Sequence, residues 1–165
     1  MERWCGCEPD RTTTTFIVMT KSIAAQGKDS VRDFVSKWSD RIVAVSRDIH
    51  AHPELNYHEH FAHDLLTKVL QDAGVEVRPS AYGVPTAFEA VAGSRGPEVL
   101  VLLEYDALPG IGHGCGHNVI AAAGLGAGMA AASIADEIGG RVRILGTPAE
   151  EGGGGKIAME IGRAH

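Results

Sequence analysis

Long runs of large apolar side chains are missing from this 165-residue sequence. Phe16–Met19 and Val99–Leu103 fall far short of the roughly 20 residues a helix needs to cross a bilayer, so no membrane partner is expected. Arg3 and Arg11 are not followed by the apolar region of a signal peptide. Cysteine is scarce as well. Cys5, Cys7 and Cys115 make no even framework for a disulfide-stapled secreted domain, and a reducing, cytoplasmic setting is the expectation. Positive charge is in the minority: Lys and Arg total 15 against 21 Asp and Glu, a net charge of −6. A chain of that sign has no broad attraction for phosphate backbones, so nucleic acid is not expected as a partner. No internal repeat is present.

What remains is the composition of one globular domain, 44% hydrophobic and 22% charged. Glycine is in excess, 21 residues concentrated between Gly83 and Gly155, where it punctuates particular loops. Residues 1–29 hold a Cys-Gly-Cys and a four-threonine run without helical or strand period, and are expected to form an irregular extension. Met19-Thr-Lys-Ser is a natural start, which would make the first eighteen residues an upstream addition. The domain proper is expected to be 30–165. Val31, Phe34, Val35, Trp38, Ile42, Val45 and Ile49 recur at helical spacing up to Pro53, and a second helix is expected over 57–73, ended by Gly74. Strands are expected over 75–78, 86–92 and 99–103, the last covered on both faces. A small-residue helix over 119–138 and a strand over 141–145 complete an order ααβββαβ. That order predicts an α/β fold, a layered sheet with flanking helices.

Two glycine-rich loops each follow a predicted strand, where open α/β sheets place their sites. The first carries Cys115 and His117, two good zinc donors, with Gly114 and Gly116 letting the backbone bend toward an ion. A buried cysteine beside a capping histidine explains the same residues. The second carries Glu150 and Glu151. Bare and buried, they would repel; with a cation, one binds it while the other handles a proton. Two solvated glutamates at a loop tip are the alternative. Asp106 is placed to accept a hydrogen bond from a ligating imidazole. Five of the eight histidines lie between His50 and His63, but Ala62 breaks the His-Glu-x-x-His spacing. His60 and His63 read as helix surface, and His50 and His52 as open candidates. Ile157 after Lys156 excludes a P-loop, and Met129 spoils the dinucleotide spacing of Gly124-Leu-Gly126-Ala-Gly128.

Four segments together, Ser46–Asn56, Glu104–Pro109, Gly112–Asn118 and Gly146–Lys156, resemble the metallo-amidohydrolase and dipeptidase branch of the aminoacylase/glutamate-carboxypeptidase family. The resemblance runs from about Val31 to about Gly162. It implies the incomplete N-terminal part of a zinc-peptidase-like catalytic domain, without the lid or dimerisation domain and the C-terminal part. By resemblance, Cys115, His117 and Glu151 are metal ligands, Glu150 is the general base and Asp106 the supporting aspartate. Zinc or manganese is the implied cofactor, with zinc favoured by the Cys/His donors. N-acyl amino acids or dipeptides are the implied substrates, and homodimers the implied assembly of full-length relatives. With only 14 residues after Glu151, the isolated chain is expected to have negligible activity. The alternative is a non-catalytic fragment that binds metal or a partner through an unfilled sheet edge.

Overall fold

The computed structural model describes residues 11–160. Its first helix, α1, spans Arg11–Ala51, and so begins inside the stretch expected to be irregular. Residues 1–10 lie outside the described residues. Threonine lowers helix propensity only slightly. Once the apolar half of α1 has formed, each further residue adds a hydrogen bond at little cost, and no proline intervenes between Pro9 and Pro53. Val45 and Ile49 are fully buried, with Phe34, Trp38 and Ile42 packed beside them.

Helix α2 spans His60–Asp72, starting three residues later than its apolar pattern suggests, because Tyr57 adopts φ +63°. Strands β1 (Val77–Pro79), β2 (Phe88–Ala92) and β3 (Glu98–Leu103) follow, then helices α3 (His117–Ala132) and α4 (Ala135–Ile138), strand β4 (Arg141–Gly146) and a single turn, α5 (Gly155–Ala158). The expected helix over 119–138 is thus broken at Ser133–Ile134. There the Ser133 hydroxyl donates to the Ala130 carbonyl at 2.7 Å, a local bond that competes with continuing the helix.

The sheet is mixed, in the order β1-β2-β4-β3, with β3 parallel to β4 and the other pairs antiparallel. Phe88, Ala90, Val142, Ile144 and Leu103 alternate toward the helices and share one core with Leu66, Leu70, Leu125 and Met129. The small residues of α3 permit close approach: a Cβ on Gly128 would sit 2.7 Å from Ile144, and one on Gly124 3.0 Å from the Leu102 carbonyl oxygen. Strand β3 is not covered on both faces as its apolar run suggests. It forms the sheet edge, with Val99 58% and Leu100 45% exposed, since an apolar run records side-chain character without naming a neighbour.

The opposite sheet face carries an ion-pair network. Arg143 pairs with Glu89 and Glu98, and Arg78 with Glu89 at 2.6 Å. Burial acts to raise the Glu89 carboxyl, but the Tyr82 hydroxyl and the two arginines outweigh it and hold it below its usual range. The Arg143 hydrogen bonds also lower Glu98. Carboxylates depressed in the folded state contribute stability that is present above their unfolded pKa and lost as pH falls through the folded value. Urea denaturation is expected to show wild type losing more stability than Arg143→Met between about pH 6 and about pH 3. Equal losses would remove this network from the acid response.

Candidate metal centre

Parallel pairing of β3 with β4 ends at Leu103 opposite Gly146, so the chain leaves both strands at the same end of the sheet. The Thr147 N–H and hydroxyl both bond to the Leu103 carbonyl, at 2.8 and 3.1 Å, tying the two exits together. The two glycine-rich loops therefore start side by side, where a parallel pair concentrates its site. In the first loop, Gly116 takes φ +84°, a left-handed conformation that a side chain would oppose, and His117 opens α3 immediately after it. That turn brings Cys115 and His117 to one side.

One ligand atom each from Cys115, His117 and Glu151 lies within 4.8 Å of the others. The His117 ring is anchored from behind. Its Nδ1–H donates to Asp106, whose carboxylate Oδ1 is 3.0 Å away, so Nε2 carries the lone pair. Asp106 is fully buried, and its Oδ2 accepts the Glu151 N–H at 2.9 Å. One carboxylate thus aligns two of the three candidate ligands, which come from different loops. In front of the ring, Nε2 faces Glu104 at 3.6 Å, Glu150 at 3.7 Å and Glu151 at 3.8 Å. Three carboxylates thus crowd the Nε2 face of one imidazole, an arrangement that a metal cation held among them would suit. Cys115 completes the set, its thiol pushed up by burial and by the Glu151 carboxylate beside it. Sulfur, imidazole nitrogen and carboxylate oxygen at these separations fit a divalent transition metal, and zinc donors bind at roughly 2.0–2.3 Å.

The structure brings Cys115, His117 and Glu151 together, with Glu150 beside them and Asp106 behind. Other expectations change. His52 bonds through Nδ1 to the Asp48 carbonyl at 2.8 Å and stacks on Phe61. His50 stands against His113, ring centroids 6.3 Å apart. His63 is buried, packed edge-on to Phe88, instead of lying on the helix surface; Asp64 accepts from its Nδ1 at 2.8 Å. Cys5 and Cys7 lie outside the described residues.

Four participants are new. Glu104 alternates with Tyr105 and Asp106 along an extended segment, which puts Glu104 and Asp106 on the same side. Lys156 forms an ion pair with Glu104 and lies 3.9 Å from Glu150. The Asn56 amide donates to Asp106 Oδ2 at 2.9 Å and accepts from the Gly153 N–H at 3.3 Å. Tyr57 adds a 2.6 Å hydrogen bond from its hydroxyl to the Gly153 carbonyl. The 50–60 segment therefore braces both site loops from beneath.

The chain has homologues among metal-dependent amidohydrolases and dipeptidases. No family model matches the chain. It is 42% identical to the Xaa-Arg dipeptidase of Mus musculus over 92% of its own length and 37% of that protein's. To a p-aminobenzoyl-glutamate hydrolase of Escherichia coli it is 32% identical, covering 78% of itself and 31% of the relative. The N-acetyl-L-cysteine deacetylase of Bacillus subtilis is 30% identical, over 91% and 38%. Among solved structures, a dinuclear metal-binding peptidase of the M20 family from Bacillus subtilis superposes with a TM-score of 0.66 at 24% identity, covering 76% of this chain and 40% of that one, and shows the same fold. The chain is homologous to part of these hydrolases and dipeptidases, and spans little more than a third of the length of the curated relatives it matches.

Proposed function

We propose that residues 30–165 are the metal-holding portion of a hydrolase that cleaves amide bonds in N-acyl amino acids or dipeptides. The observation that carries this reading is the convergence on the His117 Nε2 face, where three carboxylates meet the imidazole nitrogen with a thiol beside them. Cys115, His117 and Glu151 would hold the ion, zinc in preference to manganese because sulfur and imidazole favour it. Such an ion polarises a carbonyl and makes water more acidic. Glu150, its side chain 41% exposed beside the cluster, is free to take a proton from water and return it to a departing amine. Asp106 keeps the imidazole in the tautomer that leaves Nε2 bare. Lys156 steadies Glu104 and the neighbouring Glu150 by charge.

The exposure of Cys115 and Glu150 also bears on activity. The site opens to solvent, with nothing among the described residues closing over it to exclude water or grip a substrate. No helix among the described residues is long and apolar enough to cross a membrane. A cytoplasmic setting and homodimeric assembly of the longer relatives belong to the same proposal. Zinc titration of the purified chain is expected to show one ion bound per molecule, without turnover of N-acyl amino acids or dipeptides above background. Failure to bind zinc would remove the metal centre, and measurable turnover would show that these residues suffice for catalysis.

A further inference from the structure

We infer that Glu59, remote from the ligands themselves, is a positioning residue for the Glu150–Glu151 pair and acts through the peptide of Ala149. This inference rests on the metal-centre reading above. Glu59 occupies the N-cap position of α2 yet makes no side-chain bond to its own helix. That task falls to Glu54, whose two carboxylate oxygens accept the Phe61 and Ala62 N–H groups at 2.9 and 3.0 Å. The Glu59 side chain is fully buried and turned away, where Oε1 accepts the Ala149 N–H at 2.8 Å and Oε2 the Thr86 hydroxyl at 3.1 Å. Burying a carboxylate opposes folding unless its bonds repay it, and burial raises the Glu59 pKa despite them.

The partner explains the placement. Ala149 immediately precedes Glu150 and adopts φ +57°, a left-handed conformation that a residue with a Cβ resists. It is fully buried, and Gly153 packs so closely against it that any side chain at 153 would meet its Cβ at 2.5 Å. The Gly155 N–H closes the turn on the Ala149 carbonyl at 3.1 Å. The Glu59 carboxylate thus pins one side of a strained peptide whose kink sets the direction of the next two side chains. Thr86 is itself fixed, since its carbonyl accepts the hydroxyl of fully buried Tyr105 at 2.6 Å.

If the latch serves to hold that kink, a residue that adopts it freely should make the latch dispensable. Calorimetric zinc titration is expected to show Glu59→Ala weakening affinity at least about tenfold, in the range found for groups that orient ligands. Ala149→Gly should change it by less than about twofold, and the double variant should recover to within about threefold of wild type, because glycine takes positive φ without a steric cost. Unchanged affinity in Glu59→Ala, or a loss that Ala149→Gly leaves unrelieved, would overturn the inference. Should Glu59→Ala not fold, hydrogen exchange in the wild-type chain decides: the Ala149 amide is expected to exchange at least about 100-fold slower than an unstructured amide. Exchange at the unstructured rate would overturn it. If wild type binds no zinc, the metal-centre reading fails by itself, while the exchange rate still judges the latch.

Discussion

Replacing His117 with alanine is expected to lower the zinc affinity of this chain by at least about 100-fold, the upper end of what even supporting groups contribute. His117 is 4% exposed and opens α3, so its backbone is set by a helix that runs beneath the sheet. Asp106 then fixes the ring and its tautomer, so the nitrogen is aimed before any ion arrives. Its removal leaves a thiol that holds its proton and carboxylates that repel one another, neither of which selects a transition metal alone. The variant also strips a hydrogen-bond donor from buried Asp106, which costs about 1–3 kcal/mol of stability. Competition titration against a zinc chelator, with a urea denaturation curve for each protein, separates the two effects. Affinity within a few-fold of wild type would show that the ion, if bound, sits elsewhere.

The Asp106→Ala variant is expected to be the most damaging to the fold. Its carboxylate, with no exposed surface, serves His117 Nδ1, the Glu151 N–H and the Asn56 amide, all from different segments. Alanine would leave those donors without their acceptor and a small cavity between two loops. A loss of about 2–4 kcal/mol follows from stranding buried polar groups. Zinc affinity is expected to fall about 10–100-fold as His117 and Glu151 lose their common reference. Asp106→Asn keeps the shape and one carbonyl oxygen, but its amide must turn a donor toward a donor, so it should fall between alanine and wild type. Urea denaturation and zinc titration of both variants check this order; an Asn variant as impaired as Ala would mean that charge outweighs geometry here.

Much of the architecture was legible because side-chain pattern follows burial. Val45 and Ile49 mark the packed stripe of α1, and the Ala/Gly run of α3 announces a helix pressed onto strands. The candidate ligands were legible for a different reason: Cys115-Gly-His117 and Glu150-Glu151 combine chemically distinctive side chains with glycine, and both follow strands. The rest depends on information that one segment does not hold. The apolar run of Val99–Leu103 could not show that its strand lies at an edge, because neighbours along a sheet come from elsewhere in the chain. Glu104 and Lys156 are ordinary charges until β3 and β4 pair in parallel and bring their exits together. Glu59 carries no distinctive signal in the sequence, and only the tertiary fold shows its carboxylate bonded to Ala149, 90 positions away. The threonine-rich start of α1 misled because local propensity is a weak force beside helix propagation.

Zinc K-edge X-ray absorption on the metal-loaded chain tests the central claim most directly. A shell with one sulfur at about 2.3 Å and nitrogen or oxygen neighbours at about 2.0–2.1 Å is the outcome predicted for Cys115, His117 and Glu151. The sulfur contribution should vanish in Cys115→Ser. A shell of nitrogen and oxygen alone in the wild-type protein would contradict the account.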